Sequence, residues 1–309
     1  MINSVRNTVF SILNKNNYGY ITPQDFNLFA KQAQLEIFEN YFSSYNAQIN
    51  KENARVSGTE YADISKGIEE AIDTFSVTKS LGQKAYNKYN TPSQLTTGDD
   101  YYLLNKVLVF TTQKTTGTTT SIATDKLIDT GATFTTSVIV GDIIVNTTTG
   151  DQAEIIAIDS DTILTISEDV MTTSGDTYAI YKDESSEAEK VTNSKISMLN
   201  RSLLTAPNTT YPAYSLENDL ATIYPKTLNG IGQVYSQYIR YPKDPQWTYS
   251  TLTSGQPVFD QSQSTYQDFE LTIDDQVMLI IKILGFSGMQ IRETEVVQFA
   301  NSEEIKDNQ

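Results

Sequence analysis

Neither histidine nor cysteine occurs anywhere in the 309 residues, and that double absence constrains the fold before any pattern is read. Without cysteine no disulfide can staple a small core. Without either residue there is no His/Cys zinc, haem or iron–sulfur site to organise one. The fold must rest on buried apolar side chains, which make up 39% of the chain with aromatics at 10%, enough for a sizeable core. The same absence removes the usual proton carrier at neutral pH, and with it Ser-His-Asp and Cys-His nucleophiles. Carboxylate-only chemistry, lysine catalysis and oxygen-ligand metals stay open.

A chain of this length predicts two or three modules. No stretch of eighteen or more apolar residues and no charged-then-apolar leader is present, so no membrane anchor and no secretion are expected. The formal charge of −16 argues against gripping nucleic acid by neutralising phosphates. It is compatible with surrounding DNA while repelling it, but a surface that only keeps the protein soluble is the more ordinary reading.

Residues 1–106 read as a helical region. Val5, Val9, Ile12 and Leu13 share one face of a short helix. Thr22 is placed to cap the next, with Pro23 at its first position and Asp25 in its first turn. Phe26, Phe29, Ala30, Ala33, Ile37, Phe38, Tyr41, Phe42 and Tyr45 then cover more than the roughly 100° stripe of a helix with one buried side. Such a helix needs two partners. A helix carrying Tyr61, Ile64, Ile68, Ile72 and Phe75 supplies one; the second is either another copy of the protein or more of its own domain.

Residues 107–183 read as an inserted β-rich domain, a small barrel or sandwich. Val107–Thr111 is strand-like, and the threonine-rich stretch to Thr120 reads as a linker. Short β-rich runs follow at Val138–Asn146, Ala153–Ile158, Thr162–Ser167 and Thr177–Tyr181, separated by turn residues. Between Lys114 and Lys182, ten acids against three lysines give −7. Residues 184–309 read as a C-terminal α+β region that completes the helical domain. It opens with a helix from Ser186 to Leu204 burying Val191, Ile196, Leu199 and Leu203. It closes with a helix burying Val277, Ile280, Ile281 and Leu284, ended by Gly285 or Gly288, and an acidic tail from Glu293. The fold class expected is α+β.

Asn14 to Asp25 resembles an EF-hand loop, with Gly19 sixth and Asp25 twelfth, but Asn14, Asn16 and Tyr18 stand where carboxylates belong. The stretch reads instead as a glycine turn feeding a capped helix. Gly230-Ile231-Gly232 lacks the third glycine of a dinucleotide fingerprint and reads as a turn. The acidic pairs Asp99-Asp100, Asp159 with Asp161, Asp274-Asp275 and Glu69-Glu70 each have a local explanation, as turn, hairpin tip, helix start and solvated face. The segment Tyr238 to Tyr249 holds the only tryptophan, two prolines and two cations. A stiff loop of that kind suits a permanent interface or tertiary packing.

Gly19-Tyr20-Ile21-Thr22-Pro23-Gln24-Asp25-Phe26-Asn27, followed by Ala33-Gln34-Leu35-Glu36-Ile37-Phe38, resembles the opening of a family of tailed-phage virion structural proteins. Arg240 to Trp247, Tyr266-Gln267-Asp268-Phe269-Glu270-Leu271 and Lys282-Ile283-Leu284 are similar to the C-terminal half of the same family, in matching order. These proteins occur in short-tailed phages (podoviruses), including crAss-like ones. The β-rich middle is similar to small insertion domains shared among phage structural proteins.

The resemblance implies a non-enzymatic ring or adaptor subunit of the head-to-tail connector. It implies twelve copies in a ring between portal protein and other tail ring proteins, with DNA passing through but not bound specifically. It implies no cofactor and no metal, and a place in the virion after synthesis in the host cytoplasm. Phe29, Phe38, Phe42 and Trp247 are the side chains expected at interfaces. The rival readings are a capsid-bound or ejected cargo protein, a carboxylate-only glycan hydrolase, and a carbohydrate-binding module.

Overall fold

The computed structural model describes residues 1–13, 21–54, 64–253, 255–291, 298, 300 and 302. The protein is mixed α+β and divides into two units, one of residues 1–75 with 241–309 and one of residues 76–240.

In the first unit, α1 (Ile2–Leu13), α2 (Pro23–Ala54) and α3 (Ile64–Asp73) come from the start of the chain and α6 (Gln276–Ile291) from its end. The start of α2 follows from its capping residues. The Thr22 hydroxyl accepts from the backbone N–H of Asp25 at 3.1 Å and donates to the Asp25 carboxylate at 2.6 Å, satisfying a donor that the first helical turn leaves open. Asp25, the twelfth position of the EF-hand-like stretch, is thereby engaged in the cap; residues 14–20 of that stretch lie outside the described residues.

Buried Phe26, Ala30, Ala33, Gln34, Ile37 and Phe38 line α2, which packs against both α3 and α6. Its second apolar side is therefore met by α6 of the same chain. The ladder runs antiparallel: Tyr41 donates to Asp275, Lys282 to Glu36, and Phe29 stacks on Phe286 at 6.2 Å. The Asp268 carboxylate accepts from the backbone N–H of Ile2 at 2.7 Å, so the C-terminal segment caps the N-terminal helix.

The helical reading of residues 1–106 gives way at Ser76. The second unit begins there with an eight-stranded sheet in the order β1 (Ser76–Ser80), β15 (Val234–Arg240), β4 (Tyr101–Phe110), β12 (Ser185–Lys190), β13 (Ala213–Glu217), β14 (Leu220–Tyr224), β3 (Lys88–Asn90) and β2 (Gln83–Ala85). Its pairings are antiparallel except β12 with β13. Strand β4 runs across the expected boundary at 106/107, and the insert joins β4 to β12, two paired strands, where helical flanks were expected.

The insert is a seven-stranded antiparallel sheet in the order β5 (Gln113–Thr118), β11 (Thr177–Tyr181), β8 (Ile143–Asn146), β9 (Gln152–Ser160), β10 (Ile163–Ile166), β7 (Lys126–Ile128) and β6 (Ser121–Ala123). The threonine-rich stretch read as a linker is mostly β5, held by pairing with β11. A short helix α4 (Phe134–Ser137) and the loop at Val170-Met171 help close a core of Leu127, Ile144, Ile155, Leu164, Tyr178 and Ile180.

Alternate side chains of β8 and β11 point the other way, as the period of two requires. Val145, Ala179 and Tyr181 meet Phe110 and Tyr235 of the large sheet, and Phe110 is stacked between Tyr181 at 5.0 Å and Tyr235 at 4.5 Å. Gly150 completes this joint. Its carbonyl accepts from the backbone N–H of Ser80 at 2.8 Å, its φ is 85°, and a Cβ there would lie 2.9 Å from the Ser80 carbonyl oxygen. Only glycine allows that conformation and that approach.

The predicted helix from Ser186 to Leu204 is also corrected. Ser185–Lys190 is strand β12, despite a helix-favouring Ser-Glu-Ala-Glu-Lys composition, because pairing with β4 outweighs weak local propensity. Helix α5 (Asn193–Leu199) is short; Thr192 caps it by accepting from the backbone N–H of Lys195. Helix α6 runs through Gly285 and Gly288, and its buried positions are Leu279, Ile283, Leu284, Ser287 and Gly288, with Ile280 and Ile281 only half-buried and Val277 exposed.

Candidate assembly surfaces

Two of the four side chains expected at an interface are buried within the first unit. Phe38 is fully buried, edge-on to Phe42 at 5.2 Å and Phe75 at 5.0 Å. Trp247 is 2% exposed. The Arg6 guanidinium lies 3.7 Å from its ring centroid, its indole N–H donates to Asn3 at 3.2 Å, and its backbone N–H donates to Asn27 at 2.9 Å. The Tyr238–Tyr249 segment therefore packs onto its own chain at Trp247, the tertiary-packing alternative of the two that the sequence left open. Phe29 and Phe42 are half-buried. The structure brings Phe38 and Phe42 together and keeps Phe29 apart from them, against α6.

Exposed apolar side chains lie elsewhere on both units, Leu28 and Leu252 on the first and Leu95, Ile139 and Val140 on the second among them, and on each unit one group lies at the end of a helix. On the first unit, Ile273 is 77% exposed and Val277 64%, four residues apart at the entry to α6. A 3-10 turn, Ile273–Asp275, leads into that helix. The Asp275 carboxylate accepts from Tyr41 at 2.5 Å and from the Thr272 hydroxyl at 2.6 Å. These bonds fix the turn and leave Ile273, Asp274 and Val277 facing water.

On the second unit, α5 packs inward through Ile196, with Val191 and Ala213, and displays Met198 outward. The turn after it is held by its own bonds: the Thr205 hydroxyl donates to the Leu199 carbonyl at 3.0 Å and the Ala206 N–H to the Ser202 carbonyl at 2.9 Å. On it Leu203 is fully exposed and Leu204 97% exposed. Leu203 was predicted to be buried on a helix that in fact ends four residues earlier, so the helical period carried it to the wrong side. Single exposed leucines are ordinary; two adjacent ones on an ordered turn are not.

Two of the acidic pairs, Asp99-Asp100 and Asp159 with Asp161, are tied into the fold, while Glu69 and Glu70 are exposed. Lys79 lies 3.7 Å from Asp99 and 3.6 Å from Asp151, and Asp100 accepts from the Gln94 N–H at 2.9 Å. Lys126 bonds Asp159, whose carboxyl it holds below the usual range together with the Thr165 hydroxyl. Asp161 accepts from the Thr135 hydroxyl. Gly230-Ile231-Gly232 is a turn leading into a strand: the Ile231 carbonyl accepts from the Tyr181 hydroxyl at 2.5 Å and Gly230 donates to Gln233 at 2.8 Å. Among the described residues no group of three or more acidic, histidine or cysteine side chains is disposed to hold a metal ion, and no helix is long and apolar enough to cross a membrane.

No family model matches the chain, and no curated protein matches its sequence.

Buried tyrosines set an alkaline limit on the fold. Burial raises the phenol pKa of Tyr41, Tyr89, Tyr178 and Tyr181. The Asp275 and Asp129 carboxylates raise Tyr41 and Tyr178 further. With folded pKa values above the unfolded value of about 10, these groups contribute fully below that pH and their contribution is lost as pH rises above it. Denaturant midpoints are expected to fall steeply above pH about 10. A Tyr178→Phe variant should lose less on going from neutral to alkaline pH than the parent does; an equal alkaline loss in both would refute the assignment.

Proposed function

We infer that the chain is a structural subunit of a phage head-to-tail connector, a ring or adaptor protein that assembles in about twelve copies between portal and tail. The observation that carries this reading is that each unit displays a separate exposed apolar group: Ile273 and Val277 on one, Met198, Leu203 and Leu204 on the other. A ring closed by head-to-tail contacts needs two different surfaces on every copy, whereas a two-fold dimer needs only one self-complementary surface. The resemblance of the segments around Pro23, Trp247 and Asp268 to virion structural proteins points the same way. So does the absence of histidine and cysteine, which a ring does not need.

The acidic insert suits a bore. A wall carrying its charge would repel DNA phosphates and let the genome slide past unbound. An electron-microscopy map with the insert on the outer rim would contradict that placement.

Light scattering of the purified chain, alone and co-expressed with the portal protein of its phage, tests the connector reading. A closed oligomer in either case is the expected result, and its mass gives the symmetry. A monomer in both would overturn the reading in favour of cargo, an enzyme or a binding module.

A further inference from the structure

We propose that the exposed turn after α5 is a knob that seats on the entry to α6 of a second copy of this chain. The proposal rests on the connector reading in that both require copies to associate, and it names the contact.

The two surfaces are matched in apolar character and opposed in charge. Between Lys190 and Tyr211 the chain carries three cations, Lys190, Lys195 and Arg201, and no carboxylate, although the whole chain is at −16. Lys195 and Arg201 are exposed beside Met198, Leu203 and Leu204. The other cation partner in reach is modest: Lys195 lies 3.6 Å from an exposed Glu189 carboxylate. Between Glu270 and Ile281 the pattern is inverted, with three acids, Glu270, Asp274 and Asp275, and no cation. The next cation, Lys282, is engaged with Glu36 at 3.2 Å. Asp274 is exposed between Ile273 and Val277.

A basic turn with two leucines at its tip thus faces a counterpart of acidic, half-apolar character. In a strongly acidic protein, like charge keeps most surfaces of two copies apart. The contact that brings a positive segment onto a negative one escapes that repulsion, which selects this pairing over others. Neither surface is self-complementary in charge, so the contact is head-to-tail and propagates from copy to copy. The rigidity of both sides favours it. Local hydrogen bonds hold the knob and Tyr41 holds the turn before α6, so little is lost to ordering on contact.

A native chain without cysteine allows a direct test. Leu204→Cys and Val277→Cys are made as separate full-length variants, each checked for unchanged circular dichroism, then mixed and oxidised. A 204–277 disulfide dimer is expected in the mixture, exceeding either homodimer, and the variant carrying both cysteines should give a ladder of higher species. The mixture can form the link only between molecules, so a link within one chain does not mimic it. Leu203→Asp or Leu204→Asp should each weaken the association about ten-fold or more, and Arg201→Glu about two- to five-fold, less at high salt. Absence of the 204–277 product both without and with the portal protein overturns the pairing, as does a stronger link from Leu204→Cys to Val140→Cys on the exposed patch of the insert. The connector reading fails separately, and only if the mass stays monomeric with portal as well.

Discussion

Replacing Trp247 with alanine is expected to destabilise the helical unit by about 3–5 kcal/mol, the range for deleting a large buried aromatic. This is the only tryptophan in the chain, and its contacts come from three separate parts of the unit. Arg6 and Asn3 reach it from α1, Asn27 from α2, and Tyr249 and Phe259 stack beside it at 5.6 and 6.1 Å. Those last two belong to the hairpin of β16 (Tyr249–Thr251) and β17 (Pro257–Phe259). Loss of the ring leaves a cavity that the fixed helix ends cannot close, and removes a cation–π contact worth about 1 kcal/mol. The Asn3 side chain also loses its indole donor. Because residues 76–240 have cores of their own, the loss should appear as an early transition in the helical circular dichroism, with the β signal unfolding later. A single shared transition shifted by less than about 1 kcal/mol would show that the ring contributes little. Arg6→Lys is the finer probe: it keeps the charge and loses the flat stacking surface.

How much of this was legible depended on whether the signal was local. The start of α2 was readable because Thr22, Pro23 and Asp25 act within one turn, and the structure shows that cap. Strands β8 to β11 of the insert were readable because they are short and separated by turns such as Gly150-Asp151 and Gly175-Asp176, whereas β5 was hidden in a threonine-rich stretch that reads as a linker and β6 and β7 gave no signal of their own. Of the β1–β4 part of the large sheet only the end of β4 was readable, where Val107–Thr111 reads as strand-like. Strand β4 is central, between β15 and β12, and Tyr-Tyr-Leu-Leu-Asn-Lys-Val-Leu-Val-Phe shows neither alternation nor a helical face. Its register is set by Val234–Arg240, more than a hundred residues away in sequence. Helix α5 and its turn failed for a related reason: a 3.6-residue period continued past Leu199 counts Leu203 as core, while the chain has already turned. The candidate surfaces were missed because apolar residues in periodic segments were assigned to the interior by default. The usable signal was charge: Lys195 and Arg201 stand in a stretch without acids in an otherwise acidic chain.

Gly117→Ala is expected to destabilise the insert by about 2–4 kcal/mol through one buried hydrogen bond. Gly117 sits in β5 opposite Tyr178 in the register. A Cβ there would lie 2.6 Å from both the Tyr178 Cζ and an Asp129 carboxylate oxygen, closer than atoms approach without displacement. The displaced groups are not free to swing away. Tyr178 is 2% exposed and packs against Phe134 at 6.2 Å, and its hydroxyl donates to Asp129 at 2.7 Å. Asp129 is itself buried, and its other oxygen accepts from the Gly131 N–H at 2.9 Å. Moving the ring breaks the phenol–carboxylate bond and leaves a buried carboxylate short of a donor. Moving the carboxylate disturbs the turn after β7. The effect should be markedly non-additive with Tyr178→Phe, because once the hydroxyl is gone the alanine collides with less and no longer breaks that bond. The double variant is therefore expected to lie above the sum of the single losses by about 1 kcal/mol or more, measured as the denaturant midpoint of the β signal. Strict additivity would mean that Gly117 is required by the backbone alone. A negligible single-variant effect would mean that the ring and the carboxylate yield without cost.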